Sequence, residues 1–522
     1  MGIAVGIDLG TTNSAVAVLR PNGKPEILKN REGASTTPSV VLFQDFGAGD
    51  EPLIGEQAKR TAEQSPDDVV QYVKRYMGDP TWRFDSQSGA SYTSEEVSAL
   101  ILKRLKEDAE LALGAPVTDA VITVPAYFDD ARRTATRHAG EIAGLNVLRV
   151  INEPTAAALS YGVDTQSTGN VMVYDLGGGT FDVTILDISG NEFNVVATDG
   201  DRNLGGFDFD NALMTYLNNA FQAQGAPDLF DDIETTTALR ERAESAKKTL
   251  STVEATQVTM NIYGRPYRVQ ITRDIFDMQI SSLLTRTEEI MEDTLDAAGL
   301  TWNDIDRVLL VGGSTRVPAV QQKIKEMSGK APELGVNPDE AVALGAAIQA
   351  ALSQAEPEPE PEFAGLIGGR KDVEGLIGGP IRVQDVTSQG LGAIVYQEGT
   401  DNLINSVIIP KNSPVPGKYE DIFYTREEGQ TGSRVQVTQG DDEDPDFVTI
   451  VGVGSLDFES PRPKESPIKY IYRYDINQII EVELVDMTIN KSMGTFNIER
   501  VANLKQEEVE EATARIGGMT IM

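Results

Sequence analysis

The sequence predicts an α/β architecture over residues 1–352 and an all-β sandwich over residues 383–500. Three observations carry this reading. Short β-rich runs alternate with helical patterns through the first part. A Pro/Glu run, EPEPEPE, then breaks the pattern at 356–362 and cannot pack. Residues 383–500 read as alternating strands separated by turns.

In chain order, strands are expected at Ile3–Asp8, Ala15–Leu19, Ala120–Val124, Val171–Asp175, Val183–Ile188 and Val308–Val311. Helices are expected at Glu95–Leu113, Asp130–Ala143, Phe207–Phe221, Glu234–Thr249, Asp274–Ala298 and Val317–Met327. Residues 353–382 read as an acidic, Pro/Gly-rich linker in which GLIGG occurs at 365–369 and again at 375–379, with a weaker echo, RIGG, at 515–518. These segments are either flexible or small apolar hooks that dock on a neighbour. In the sandwich the runs are 408–410, 421–425, 434–437, 447–451, 468–474 and 479–485, with turns at Glu428-Gly429 and Gly440-Asp441. Residues 501–522 hold one short helix, Gln506–Arg515, and a tail.

Composition narrows the chemistry. The net charge of −36 repels phosphate backbones and anionic lipid, which argues against nucleic acid and membrane as main partners. The chain has no cysteine, so disulfides, thiolate nucleophiles and Cys-zinc sites are ruled out. Its single histidine, His138, rules out any site needing two; it reads as a surface or packing residue. The N-terminus has no basic region and carries Asp8 within its apolar run, unlike a secretory leader. No apolar run has the length of a membrane helix. A soluble, cytoplasmic protein is expected.

The first strand runs into Asp8-Leu9-Gly10-Thr11-Thr12-Asn13 and returns as the second. A Gly and hydroxyl tip brings backbone N–H groups close to phosphate oxygens. Asp8 at the strand end suits a hydrated Mg²⁺. A second such hairpin lies at Asp175-Leu176-Gly177-Gly178-Gly179-Thr180. Two copies imply two similar lobes facing one another, with a nucleotide phosphate and Mg²⁺ between them. Val311-Gly312-Gly313-Ser314-Thr315-Arg316 ends a buried strand and opens a helix; Gly-Gly lets a flat ring pass, and Arg316 can stack on a base. There is no GxxxxGK[ST] string, so this is not a P-loop site.

These three segments resemble the seventy-kilodalton heat-shock chaperones of the DnaK type. So do VPAYF at 124–128, INEPTAAA at 151–158, NLGGFD at 203–208 and NPDEAVA at 337–343. The likeness covers residues 1–352 and continues more weakly from Asp385-Val386-Thr387 to about Lys491. It implies a two-lobed, actin-like ATPase joined to a sandwich that grips extended peptides. Gly10, Thr11, Thr12, Asn13, Gly177, Gly178, Gly179, Gly205 and Gly206 match phosphate contacts, with Asp8 and Asp175 holding Mg²⁺ mostly through water. Lys74 (in VKRYMG), Glu153, Asp175, Thr180 and Asp182 match catalytic positions. Glu244, Lys247, Lys248 and Ser251 match the adenosine clamp, with Gly312, Gly313, Ser314, Arg316 and Asp339. Pro125 and Arg133 match an interdomain switch.

The resemblance further implies ATP or ADP with Mg²⁺, potassium as a candidate further cation, and unfolded or extended peptides as clients. A J-domain co-chaperone and a nucleotide exchange factor are implied partners. Ala393, Tyr396, Phe423, Arg426, Ser433 and Val435 align with the peptide cleft. Arg426 and Ser433 stand where small or aliphatic residues are usual, which points to a shallower cleft or an altered peptide preference. Asp372–Ile377 is the nearest match to the family's apolar linker. The helical lid is expected to be reduced to its first helix, roughly Leu504–Arg515, so peptide should exchange faster. Two other readings stay open. One is an ATP-gated interaction or assembly protein with a dedicated partner. The other is a small-molecule kinase of the same superfold, which also hosts sugar kinases; the sandwich and the VPAYF and INEPTAAA strings count against it.

Overall fold

The computed structural model describes residues 2–521 except 46, 48, 166–167, 334–336, 355–369, 398, 476–479 and 499–502. The EPEPEPE run and the first GLIGG lie outside the described residues.

The first sheet is built from β1 (Ile3–Asp8), β2 (Asn13–Leu19), β3 (Pro25–Ile27), β4 (Val117–Val124) and β5 (Asn146–Asn152), in the order β5-β4-β1-β2-β3. β1 and β4 are parallel, with Asp8 opposite Thr123, and β4 and β5 are parallel, with Val124 opposite Asn152. β1 reads IAVGID because it is covered on both faces. Helix α1 (Ser94–Leu113) starts at a capping box in which Thr93 and Glu96 each accept the other's backbone N–H. Helix α2 (Asp130–Ile142) starts at Asp129, whose carboxylate accepts from the Arg132 N–H at 3.0 Å.

Helix α3 (Glu153–Thr165) leads to the second sheet, made of β6 (Gly169–Leu176), β7 (Phe181–Ser189), β8 (Glu192–Asp201) and β9 (Arg307–Val311). Helices α4 (Gly206–Gln222), α5 (Ile233–Leu250) and α6 (Arg273–Ala298) share a core with this sheet. Helix α7 (Ala341–Ser353) closes the region and crosses α3. Both crossing helices are rich in alanine, and contact is close. A Cβ on Gly345 would lie 1.7 Å from the Ala156 carbonyl oxygen, and one on Gly6 of β1 would lie 2.0 Å from the Ala347 nitrogen. Only glycine fits at such approaches. The core around α3 and α7 contains residues of both sheets, so this crossing fixes one sheet against the other.

Two stretches depart from the sequence reading. Residues 370–377, taken as linker, form helix α8 (Arg370–Ile377), whose Val373 is fully buried among residues of α3 and α7. Leu376 of the second GLIGG packs on the same core. The apolar side chains there have a core to fill, and composition alone hides it. Second, Arg382–Val386, taken as the start of the sandwich, is β10. It pairs in parallel with β8, Phe193 opposite Val383, as an added strand of the second sheet.

Beyond β10, eight of the later strands form two four-stranded antiparallel sheets. One has the order 403–409, 391–396, 430–439, 449–462, and the other 417–424, 467–474, 480–486, 491–497. Leu391, Val437, Tyr472 and Leu484 are buried between them. Helix α9 (Gln506–Gly517), expected near Leu504–Arg515, packs on α1 and α2 through Val509, Ala512 and Ile516. Lys103 caps its C-terminal end, donating to the carbonyls of Ile516 at 2.9 Å and Met519 at 2.6 Å. The RIGG echo therefore docks through Ile516.

Such packing is sensitive to single methyl groups. Gly345→Val forces α3 and α7 apart and should lower the melting temperature by roughly 3–10 °C. Gly375→Ala on α8, with open space around its Cβ position, should not lower it. Equal shifts in differential scanning fluorimetry would refute the crossing as a constraint. His138 sits on α2 with its Nδ1 buried and unpartnered; burial first, and Arg137 second, push its pKa down from 6.5 to about 4. Between those values the unfolded chain binds a proton that the native chain refuses, so the contribution of His138 to stability should fall as pH drops through this window. Urea midpoints of wild type and His138→Gln at pH 7 and pH 5 check it: the stability of wild type relative to the variant should be lower at pH 5 than at pH 7.

Candidate functional site

Asp8, Asp175 and Gly312 all sit at the carboxyl ends of parallel strands, and Glu153 opens the helix after β5. That is where open α/β sheets place ligands. Here those ends meet at one cleft of about 960 Å³.

The two glycine turns touch across it. A Cβ on Gly178 would lie 1.8 Å from Thr12 Oγ1, and one on Gly179 would lie 2.6 Å from the Thr11 methyl carbon. Gly205 packs on the Gly178 backbone in the same way. Gly312, at φ +83°, leaves no room for a side chain beside the Leu176 carbonyl. Ser314 Oγ donates to the Gly177 carbonyl at 2.8 Å, tying the third motif to the second turn. The result is backbone laid bare on several sides, as a cradle for a phosphate chain requires.

Charge in the cleft is unbalanced. Lys74, only 4% exposed, is ion-paired with Glu153. Asp8, half-buried, and Asp175 and Asp182, both buried, lie nearby. Burial first, and Glu153's charge second, push Asp8 up to about 7 and Asp182 up to about 8. The same causes raise Asp175 well above the usual carboxylate range. Asp175 Oδ2 is buried with no hydrogen-bond partner. Several carboxylates on one ammonium leave room for a cation. Among the described residues no cluster of three or more His, Cys, Asp or Glu forms a metal cage. Mg²⁺ suits this set, because it binds through one or two carboxylates while keeping its waters.

The opposite wall carries the residues expected to clamp adenosine. Glu244, Lys247, Lys248 and Ser251 line the cleft from one face of α5. Lys247 donates to the Gly206 carbonyl at 2.8 Å and to Asp210 at 2.9 Å. Burial would raise Glu244, but Lys59 and Lys248 outweigh it and hold the carboxyl down at about 2. Arg316 bonds Asn337 at 2.9 Å and Asp339 at 2.7 Å. A magnesium nucleotide therefore fits the residues present: bare backbone for phosphates, unpaired carboxylates for the cation, and a polar clamp at the far end.

Of the expected nucleotide residues, Gly179, Asp182 and Gly205 stand behind the cleft wall and all the others line it. Asp182 accepts from the Tyr127 N–H at 2.9 Å. Sequence reasoning missed Tyr72, Phe207 and Asp210, which also line the cleft, and Lys59, which reaches Glu244 at 2.8 Å from far along the chain. Tyr72 has φ 60° and meets the Phe207 ring edge-on at 4.7 Å. No local motif marks Tyr72, Asp210 or Lys59, whose roles arise from partners distant in sequence; Phe207 falls within NLGGFD, where the glycines rather than the ring draw notice.

Pro125 succeeds β4, and its carbonyl accepts from the Phe128 N–H at 3.1 Å. Arg133 donates to the carbonyls of Phe128 at 3.0 Å and Ala126 at 3.1 Å, and to Asn152 Oδ1 at 2.5 Å. Asn152 in turn donates to both Asp385 oxygens, at 3.0 and 2.9 Å. A buried polar chain thus runs from the loop beside the cleft to β10. Sandwich residue Tyr474 donates to Asp130 at 2.7 Å.

The six expected peptide-cleft residues do not share an open groove. Ala393 and Val435 are buried in the sandwich core, at 0% and 1% exposure. Phe423 packs against that core and meets Tyr470, with ring centroids 4.6 Å apart. Ser433 is buried, with its hydroxyl 2.9 Å from that of Tyr470. Tyr396 is exposed, and Phe423 and Arg426 are partly so. Arg426 lies 3.6 Å over the Tyr396 ring and is ion-paired with Asp401.

No helix among the described residues is long and apolar enough to cross a membrane. The chain matches the family described as Hsp70 protein over residues 4–519. That family comprises chaperones with ATP-regulated peptide binding, which bind ATP or ADP with Mg²⁺ and hydrolyse ATP. With its glycine-turn cleft and its sandwich together under one match, the chain belongs to the seventy-kilodalton heat-shock family.

Proposed function

We propose that this chain is a DnaK-type chaperone in which Mg-ATP, bound and hydrolysed in a two-lobed, actin-like domain at 1–352, controls the grip of a sandwich at 383–500 on extended peptide. The observation that carries this is the pair of touching glycine turns above a buried carboxylate cluster with a single lysine. In this reading Gly10–Asn13 and Gly177–Thr180 hold the phosphates through backbone N–H groups. Asp8 and Asp175 hold Mg²⁺, which supplies charge stabilisation to the phosphates. Glu153 orients the attacking water and Asp182 stands behind it. Lys74 offsets the charge that develops at the γ-phosphate, so catalysis is positioning and electrostatics rather than covalent work by the protein.

Arg133, Asn152 and Asp385 would relay the state of the cleft to β10, while Asp130 and Tyr474 hold the sandwich against α2. A J-domain co-chaperone and a nucleotide exchange factor fit this scheme. In the sandwich, the Ser433–Tyr470 hydroxyl pair favours a shallow peptide site over a deep leucine pocket.

Lys74→Ala should bind ATP within about threefold of wild type, yet turn over at least about 100-fold more slowly in single-turnover assays. An unchanged rate removes Lys74 from the mechanism. Fluorescence anisotropy with a labelled apolar peptide should show binding that weakens about tenfold or more when ATP is added. Absence of binding in both states would overturn the client-gripping reading in favour of a dedicated partner.

A further inference from the structure

A second, smaller cavity adjoins the cleft. Thr11, Lys74 and Thr180 line both, so the two share a wall. The small cavity has a volume of about 20 Å³, enough for a water molecule. Beyond the shared wall it is lined by three guanidinium groups, those of Arg75, Arg132 and Arg202. No carboxylate lines it, in a chain whose net charge is −36.

The cations there outnumber the acids that pair with them. Lys74 is held by Glu153 and, at 2.6 Å, Arg75 by Asp208. Arg75 also donates to the Gly179 carbonyl at 3.0 Å, and its Nε is buried with no hydrogen-bond partner. Arg132 and Arg202 share a single carboxylate, Asp129, at 2.5 and 4.0 Å. Asp129 is further engaged by the Arg132 backbone N–H. Arg132 also faces the charge of Asp79, so Arg202 is the least engaged of the four cations, at a cavity that opens next to the place where a terminal phosphate would be cut free.

We infer that this cavity is a binding site for a tetrahedral oxyanion, and that its occupant is the inorganic phosphate made in the cleft, held by Arg132 and Arg202 as it leaves. The assignment rests on the ATP-hydrolysis reading of the cleft. Guanidinium forks match the oxygens of phosphate and can each donate two hydrogen bonds to it, which a lysine cannot. As it stands the cavity fits water, so phosphate enters as a side chain yields. Arg202 is the one placed to yield: it is 48% exposed and has the longest ion pair of the four cations. Exposed side chains change rotamer within nanoseconds, so this step does not limit turnover.

The test compares wild type with Arg132→Ala, Arg202→Ala, the double variant and Arg202→Lys. Inorganic phosphate is titrated into the ADP-loaded chain by calorimetry. Cleavage is followed by chemical quench, and release by a fluorescent phosphate sensor. The double variant should cleave ATP within twofold of wild type, bind added phosphate at least fivefold more weakly, and release newly made phosphate at least fivefold faster. Arg202→Lys should restore affinity to within twofold of wild type. Unchanged affinity and release with intact cleavage overturn the site while leaving the ATPase reading standing. An effect on added phosphate without one on newly made phosphate, or the reverse, also overturns it. A wild type that cleaves no ATP defeats the ATPase reading instead, and phosphate titration of the nucleotide-free variants then decides the site by itself.

Discussion

The close crossing of α3 and α7 sets everything else in the first 352 residues. At Gly345 a backbone carbonyl occupies the place of a side chain, and at Gly6 the same helix presses on the first strand. Small residues at these points let two sheets share one core. The sheets in turn carry the glycine turns, so the crossing sets how the turns meet. Phosphate recognition by backbone N–H groups needs placement to a fraction of an ångström. A rigid crossing supplies it where loops alone would not.

Closing the turns on one another creates an electrostatic problem that defines the site. Asp8, Glu153, Asp175 and Asp182 are drawn away from water around a single ammonium, and the field of each raises the cost of ionising the next. An arrangement of this kind is stable when protons or cations relieve it. Relief by a hydrated divalent ion and a phosphate chain explains why the cluster is tolerated in a folded protein. On the far side of Lys74 the imbalance has the opposite sign, with guanidinium groups in excess. The lysine therefore stands at a boundary between a region short of cations and one short of anions.

The sandwich is joined to this machinery by polar contacts more than by apolar ones. Tyr474 to Asp130, and Lys411 to Asp199 at 2.7 Å, cross between the α/β part and the later strands, and Asn152 holds Asp385 on β10, the strand that leads into them. Polar contacts have alternatives in water, so such a union can be made and broken at modest cost. Helix α9 adds an apolar hold through Ile516, which is fully buried on the first core.

Much of this was legible in the chain. Strand and helix patterns from Ile3 to Ala298 matched the observed elements within a few residues, because period and caps are local. The glycine turns were legible because phosphate chemistry demands particular residues at fixed spacing, whereas Lys74 was marked only by the likeness of VKRYMG to the family. Tyr72, Asp210 and Lys59 were not, since each acquires its role from a partner brought near only by folding. Val373 and the strand Arg382–Val386 looked like linker and sandwich for the same reason. A run of a few apolar residues does not name the surface that will cover it, and an edge strand does not name the sheet it will join. Spacing along the backbone decided what each segment can do; packing between distant segments decided which charges face each other and which are left unpaired.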